Sequence, residues 1–290
     1  TTSEFNVRLT SLEKSEHTPD IQKLFMASVS QTLENLLVVP RLSKIKGWSF
    51  VLSWGHRISG LILSLYIAFH VYTLLLLKNP EIYDAQMSIY KVFPFNLLAW
   101  LLAFPVIFHA LNGGRVILYE SYGVRKDRVL MGAVIGLGVV YLTGLGILMI
   151  ISVPITVREL FWGPLLLISV LLTFLFSFQL AKSQAGFAWK LQRLTGSFLF
   201  LMIPAHMVFM HSHPDMAHSA SMVINRMQIQ MIKITDLMLA LGVLYHGGYG
   251  LTSIVDDYIA LKQLRFGLMV IIWMLVTIAA FYAILFVVSI

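Results

Sequence analysis

Four histidines lie on segments that are apolar enough to cross a membrane: His70, His109, His206 and His246. Ionisable side chains are costly inside a bilayer, so each of them indicates a function. Neutral imidazole binds iron well, and a haem in a helical bundle can be held by one histidine from each of two facing helices. A single histidine on an apolar helix can also be a hydrogen-bonded structural residue, and this alternative stays open for each one taken alone.

The composition predicts an all-α protein that crosses a membrane several times. The chain has 290 residues, of which 58% are hydrophobic and 12% are charged. Soluble domains are nearer half apolar and a quarter charged, so this much apolar surface needs lipid around it. Cysteine is absent, which excludes disulfides, thiolate catalysis and cysteine-bound iron–sulfur clusters in this chain.

Seven segments are long and apolar enough to span the hydrocarbon core, for which about 20 residues are needed. They are 50–77, 95–119, 129–152, 161–181, 188–211, 236–259 and 266–290. The fourth has no ionisable residue, and the longest polar stretch between spans is 211–235.

The distribution of lysine and arginine predicts the orientation. With the N-terminus inside, 16 of the 21 basic residues fall on the inner side. The five on the outer side are Lys78, Lys91, Arg158, Arg226 and Lys233. We therefore expect the N-terminus inside and the C-terminus outside, and we interpret the net charge of +7 as a topology signal, not a nucleic-acid surface.

The chain contains two related halves. The motif RISG at 57–60 recurs as RLTG at 193–196, and His70 recurs as His206, both at an offset of 136 residues. HALNG at 109–113 recurs as HGGYG at 246–250, at an offset of 137. Spans 1–3 thus resemble spans 5–7, and the fourth span returns the chain so that both halves start on the same side.

The repeat groups the histidines into two pairs by depth. His70 and His206 each lie 13 residues past an arginine, about 20 Å along the helix. His109 and His246 each lie 11 residues before an acidic residue, about 16 Å along a returning helix. Zinc is a poorer fit than haem, because its sites need three or four ligands at one point.

Glycines follow the second pair of histidines at helical spacing. Gly113 and Gly250 each lie four residues after a histidine, hence on the same helix face. Absence of a side chain there would let a flat macrocycle approach the backbone. Ordinary packing of small residues between helices explains them equally well.

Two stretches of the first half carry a resemblance to a known family. SWGHRISG at 53–60 followed by HALNGGRVILYE at 109–120 resembles the larger cytochrome b anchor subunit of succinate:quinone oxidoreductase, or complex II. LYHGGYGLTSIVDDY at 244–258 resembles the smaller anchor subunit, and LQRLTGSFLFLMIPAH at 191–206 is similar to the dihaem anchors of quinol:fumarate reductases. The resemblance covers about residues 48–260.

The resemblance implies that two anchor subunits are fused in one chain with a four-helix haem-binding core. The expected divisions are an extramembrane arm, a three-helix half, a linker helix and a second three-helix half, at 1–46, 47–153, 154–187 and 188–290. Single-chain dihaem anchors usually have five spans, and some carry a glutamate where this chain has Leu244.

The resemblance also implies specific sites. His109 and His246 would ligate a proximal haem b, and His70 and His206 a distal one. Arg115 and Arg193 are candidates for the haem carboxylates, with snorkelling to the membrane surface as the alternative.

The quinone site is expected near the inner face, at the start of span 1 and the end of span 6. The resemblance carries Ser53, Arg57, Asp257 and Tyr258 over to it. The hydroxyls of Ser53 and Tyr258 are suitable donors to quinone oxygens, and Arg57 supplies a fixed positive charge. The alternative is interfacial anchoring, which is common for such residues at helix ends.

The implied function is that of a non-flavin subunit of succinate dehydrogenase or fumarate reductase. It would bind haem b and ubiquinone or menaquinone, and dock an iron–sulfur subunit and a flavoprotein carrying FAD. The expected location is the bacterial inner membrane or the mitochondrial inner membrane, and no nucleic acid is expected as a partner.

Other classes of membrane protein remain as alternatives. A dihaem cytochrome b of another quinone-linked dehydrogenase, of the formate dehydrogenase or hydrogenase type, would share the haem pattern. A retinal protein needs a lysine in the last span, and 266–290 contains none. A transporter with inverted repeats would start its halves on opposite sides.

Overall fold

The computed structural model describes residues 47–90, 92–151, 162–212 and 218–289. Within these ranges, all regular secondary structure is helical. The helices are α1 (Trp48–Leu75), α2 (Pro80–Tyr90), α3 (Phe93–Tyr122), α4 (Asp127–Ile151), α5 (Trp162–Ala181), α6 (Phe187–Ser212), α7 (Ala220–Met227), α8 (Gln230–Tyr258) and α9 (Lys262–Ser289). The expected extramembrane arm, 1–46, lies outside the described residues.

The chain divides into two compact units, Thr1–Ser53 and Trp54–Ile290. The described part of the first unit is 47–53, where Gly47 has a φ of 78° and helix α1 begins at Trp48. The second unit holds the rest of α1, from Trp54 on, and all the other described helices. The division into two three-helix halves and a linker stays a prediction.

Seven of the helices are long and apolar enough to cross a membrane, as the sequence predicts. A helix satisfies its own backbone hydrogen bonds, which is why apolar segments of this length adopt it in lipid. Large apolar side chains such as Leu65, Val140 and Ile150 are 70–84% exposed. Such exposure suits a surface that faces acyl chains instead of water.

The sequence suggested a polar loop at 211–235, but the described residues from 220 on are mostly helical. This stretch contains the short helix α7, and α8 already begins at Gln230, six residues before the expected start of the sixth span. Ile232 and Thr235 are buried to 2% and 1% exposure, so packing against neighbouring helices extends this helix through a region of mixed polarity.

One short helix follows the first long helix of each half. Helix α2 comes after α1 and α7 comes after α6, and the two contact each other around Leu77, Tyr83, Met87 and Val223. The carboxylate of Asp84 accepts a hydrogen bond of 2.7 Å from the backbone N–H of Ala220, the first residue of α7. An acid at that position complements the free N–H groups of a helix start.

The central helices of the two halves pack together. Helix α6 contacts α3, α5 and α8, and a core cluster at this junction includes Trp162, Phe198, Met202 and Leu239. Both α3 and α6 contain a proline, Pro105 and Pro204, close to the histidines at 109 and 206. The hydroxyl of Tyr141 on α4 donates to the carbonyl of Pro204, 2.8 Å away, and ties α4 to α6.

Candidate haem and quinone sites

The structure places the imidazole rings of His109 of α3 and His246 of α8 next to each other. Their ring centroids are 6.1 Å apart and the ring planes are nearly perpendicular, at 83°. Metal–nitrogen bonds of about 2 Å on opposite sides of one ion place two imidazole centres about 6 Å apart. The spacing of this pair therefore fits two axial ligands of one iron.

Backbone carbonyls fix the orientation of both rings. Nδ1 of His109 lies 3.2 Å from the carbonyl oxygen of His56, and Nδ1 of His246 lies 3.3 Å from that of Gln192. A carbonyl oxygen only accepts, so each Nδ1 carries the proton and each Nε2 keeps its lone pair. Histidines that bind metals are commonly held in this way.

The two carbonyls are related by the sequence repeat, because positions 56 and 192 differ by 136 residues. The hydroxyl of Ser59 adds a contact of 3.2 Å to Nδ1 of His109, and it also donates to the His56 carbonyl. The same local arrangement thus orients one histidine in each half.

Glycines leave room for both rings. A Cβ on Gly60 would lie 3.2 Å from Cε1 of His109, and a Cβ on Gly196 would lie 3.1 Å from Cε1 of His246. These two glycines close the motifs RISG and RLTG, again 136 residues apart. Any larger residue would displace the imidazole beside it.

The glycines predicted to approach a macrocycle behave differently from each other. A Cβ on Gly113 would lie 3.4 Å from Cε1 of His56, whereas a Cβ on Gly250 would have no atom within 4 Å. The approach of a macrocycle to Gly113 and Gly250 stays a prediction, and the glycines that lie beside the two histidines are Gly60 and Gly196.

His56 is a residue that sequence reasoning left without a role. Its ring stacks on that of His109, with centroids 3.9 Å apart and planes 12° apart. Its Nδ1 is buried and has no hydrogen-bond partner among the described residues. The position of His56 within the motif SWGHRISG could have indicated a role, since His56 precedes Arg57 and lies one turn before Gly60.

The distal pair, His70 and His206, is less closely associated. The ring of His70 stacks on Tyr66 at 5.6 Å, and the ring of His206 lies 6.1 Å from Trp162. In the described part of the chain, no ring contact or hydrogen bond joins the two histidines. Nδ1 of His206 is buried with no partner among the described residues, so this nitrogen can serve an additional group.

Two ion pairs lie at one end of the bundle, which we name the basic end after Arg57 and Arg193. Arg57 pairs with Asp257 at 2.7 Å, and Arg193 pairs with Glu120 at 2.6 Å. Each arginine comes from the first long helix of one half and each acid from the second long helix of the other. The sequence predicted the depth of these residues, and the structure shows how they pair.

The surroundings of Arg57 are aromatic. Its guanidinium carbon lies 5.6 Å from the ring centroid of Tyr258, and that ring contacts Trp54 at 5.4 Å. Tyr258 is 47% exposed, so its hydroxyl end is accessible. The remaining predicted residue, Ser53, belongs to the first unit, where its hydroxyl donates to the carbonyl of Ser49 at 2.9 Å.

Arg115, a candidate for haem carboxylates, is a buried cation with long contacts. Its side chain is 10% exposed and lies 3.5 Å from Asp127 and 3.3 Å from the amide oxygen of Asn112. Nε of Arg115 has no hydrogen-bond partner among the described residues. Arg193, the other candidate, uses its Nε and one terminal nitrogen on Glu120 and lies 4.9 Å from the Trp189 ring.

Comparison with known proteins tests the resemblance. Residues 37–146 match the family of the succinate dehydrogenase/fumarate reductase transmembrane subunits. This match confirms the resemblance over that part of the chain, which includes Arg57, His70 and His109.

One curated relative matches over part of its length. The succinate dehydrogenase 2 membrane subunit SdhC of Mycobacterium tuberculosis is 38% identical over 87 residues, which are 29% of this chain. The aligned region covers 62% of that relative. No solved structure matches the chain.

Proposed function

We propose that this chain is the membrane anchor of a succinate:quinone oxidoreductase, and that it combines both anchor subunits in one polypeptide. The observation that carries the proposal is the neighbouring pair His109 and His246, oriented by carbonyls at repeat-related positions. The family match lies in the first half, and His246 comes from the second half.

Haem b bound between these histidines would supply a one-electron carrier inside the membrane. His109 and His246 hold the group through Nε2, because Nδ1 of each is engaged with a carbonyl. Arg115 is largely buried and makes only long contacts with Asp127 and Asn112. It is therefore the cation best placed to meet a haem carboxylate. Arg193 would contribute only by giving up part of its contact with Glu120.

Quinone binding is proposed at the basic end, beside Arg57 and Tyr258. Reduction of a quinone takes up two electrons and two protons, so its oxygens need donors and a route to water. The guanidinium and the phenol lie next to each other, and Asp257 balances the charge of Arg57. Tyr258, the last residue of α8, is 47% exposed, so the site is open at the end of the bundle. The role of Ser53 stays a prediction from the sequence resemblance.

A second haem, between His70 and His206, belongs to the same proposal. The buried, unpartnered Nδ1 of His206 supports it. The described residues show no ring contact or hydrogen bond between these two histidines, so this part of the proposal rests on the sequence repeat and on that nitrogen.

The partners proposed are an iron–sulfur subunit and a flavoprotein with FAD. Succinate would be oxidised at the flavin, and this chain, which has no cysteine, would receive electrons from the clusters of the iron–sulfur subunit. The basic end would face the inside of a bacterial inner membrane or the mitochondrial matrix, because it carries most of the lysine and arginine.

Purification of the native complex in mild detergent tests this function. We expect a flavoprotein and an iron–sulfur protein to copurify with the chain, with succinate-dependent quinone reduction and b-type haem in a pyridine haemochrome assay. Copurification of a formate dehydrogenase or hydrogenase catalytic subunit would replace the proposed partner set. Absence of haem from an active complex would overturn the cytochrome assignment.

A further inference from the structure

A groove runs along the outer surface of the second half, between α8 and α9. The two helices are in tight contact at Gly248, where a Cβ would lie 2.8 Å from a methyl group of Val276. Beside this contact, Tyr249, Ser253 and Asp256 of α8 face α9 across a groove of about 820 Å³. The start of α6 contributes Ala188 to its lining.

The α9 wall of the groove carries an apolar stripe. Phe266, Val270, Met274 and Ile278 follow each other at intervals of four residues, so the stripe winds gradually around the helix, and all four residues line the groove. They are 71%, 48%, 52% and 46% exposed, respectively. The stripe is about 18 Å long, close to the roughly 15 Å of hydrocarbon in one leaflet of a bilayer.

The end of the groove nearest the basic end is polar and carries more positive than negative charge. Asp256 in the groove lining pairs with Arg265 at 3.0 Å, and Lys262, three residues before Arg265, is exposed. Two cations and one carboxylate leave a net positive charge at this rim. The hydroxyl of Ser253 lies one turn further in.

Aromatic residues lie in or beside the same groove. Trp273 of α9 lies 5.6 Å from Tyr245, and Tyr245 lies 6.3 Å from Tyr249. Tyrosine and tryptophan are enriched where acyl chains meet headgroups, because their rings are apolar and their tips are polar. Charged residues thus lie at one end of the groove, and aromatic and aliphatic residues share its walls further in.

We propose that this groove binds one anionic phospholipid, with an acyl chain on the α9 stripe and its phosphate at Lys262 and Arg265. The length of the stripe fits a chain of one leaflet, and the net positive rim fits a headgroup of negative charge. A neutral lipid or a quinone tail could occupy the same groove but would leave the positive charge of the rim uncompensated.

This site is separate from the proposed quinone site. Adjacent residues of α8 point to different neighbours, since Asp256 pairs with Arg265 on α9 whereas Asp257 pairs with Arg57 on α1. The lipid proposal does not rest on haem or quinone binding. It can therefore hold or fail independently of the proposed function.

Lipid retention by the intact complex tests the proposal. The purified complex is incorporated into vesicles of equal parts phosphatidylglycerol and phosphatidylcholine, extracted again in mild detergent, and analysed by native mass spectrometry. We expect one phosphatidylglycerol per chain to be retained preferentially. Equal retention of the two lipids, retention of a quinone alone, or retention of no lipid would overturn the proposal.

Two substitutions in the groove have a matched control on the same helix. Arg265→Gln removes a rim cation, and Val270→Trp fills the stripe; each is expected to weaken phosphatidylglycerol retention about tenfold. Leu275→Trp adds the same side chain at a position that is 58% exposed and lies outside the groove lining, and it should retain the lipid. If Val270→Trp and Leu275→Trp behave alike, the groove is not the binding site.

Discussion

Arg193 and Glu120 form an ion pair of 2.6 Å that is the counterpart, one repeat along the chain, of the pair between Arg57 and Asp257. Arg57 and Arg193 differ by 136 positions, and Glu120 and Asp257 by 137. The neighbours of the two arginines differ, since one lies over Tyr258 and the other over Trp189. The two halves therefore share a means of attachment, and the pair of Arg57 and Asp257 has the phenol of Tyr258 beside it.

Reversal of the charge at Arg193 should destabilise the contact between the halves. In Arg193→Glu, two carboxylates face each other where the side chains are now 20% and 34% exposed. We expect a loss of about 1 kcal/mol, which lowers the melting temperature by roughly 2–4 °C. Thermal unfolding of the detergent-solubilised complex measures this shift.

The double variant Arg193→Glu with Glu120→Arg serves as the control for this prediction. It restores opposite charges and should recover most of the lost stability. The contact of Arg193 with Trp189 would not return, so recovery should be incomplete. A double variant that is no more stable than Arg193→Glu would show that the ion pair does not join the halves.

Substitution of Gly196 should remove haem without unfolding the chain. A valine there would press on Cε1 of His246, which a Cβ alone would approach to 3.1 Å. The local strain is about 1–3 kcal/mol, and the ring would turn away from His109. We expect a large fall in haem per chain in Gly196→Val, measured as pyridine haemochrome after purification.

Gly132→Ala is the matched control, because a Cβ at Gly132 has no atom within 4 Å. It should keep its haem content and its elution volume on size-exclusion chromatography. Normal haem content in both Gly196→Val and Gly60→Val would contradict the role assigned to the two glycines.

Much of the fold follows from the sequence because lipid leaves few choices to an apolar segment. Stretches of about 20 apolar residues form spanning helices, and all seven expected ones are present. The sixth span begins at Gln230, earlier than hydropathy predicts, because Ile232 and Thr235 are buried by contacts between helices that hydropathy does not show. The helices α2 and α7 were missed because they are short and of mixed polarity.

The pairing of His109 with His246 could be predicted from the sequence, but the groups that orient the two rings could not. The repeat gave His109 and His246 the same depth, and the structure brings these two rings together. Carbonyl partners such as those of His56 and Gln192 are invisible in a sequence, because every residue has a carbonyl. The repeat also matched His70 with His206, but equal depth does not determine which way two side chains point.

Separate loss of the two histidine pairs should distinguish one haem from two. His246→Leu removes a proposed proximal ligand, and His206→Leu removes a proposed distal ligand. With two haems in the wild type, each variant should lose about half of the haem per chain, and the two reduced spectra should differ. The measurements are haem content and low-temperature absorption of the purified complexes.

A His206→Leu variant with unchanged haem content and spectrum would exclude haem binding at the distal pair. The histidine would then be a structural residue beside Trp162. A His246→Leu variant that keeps all of its haem would contradict the proximal assignment.

Loss of the donors at the basic end should abolish quinone reduction while sparing succinate oxidation. Arg57→Leu removes the cation that pairs with Asp257, and Tyr258→Phe removes a half-exposed hydroxyl. We expect succinate:quinone reductase activity to fall at least about tenfold in each, the effect of losing one or two hydrogen bonds to a bound oxygen. Succinate oxidation with a soluble dye should stay near the wild-type rate, because the flavin and the iron–sulfur clusters would lie in the proposed partner subunits.

Tyr122→Phe is the matched control for Tyr258→Phe, since Tyr122 is an exposed tyrosine at the same end of the bundle, in the last turn of α3. It should retain wild-type activity with both acceptors. Haem content should be unchanged in Tyr258→Phe, because the contacts of that ring are with Arg57 and Trp54 and not with either histidine. If Arg57→Leu and Tyr258→Phe both reduce quinone at the wild-type rate, the quinone site must lie elsewhere. The buried pair of Arg226 and Asp236, at the opposite end of the bundle, would then be the next place to substitute.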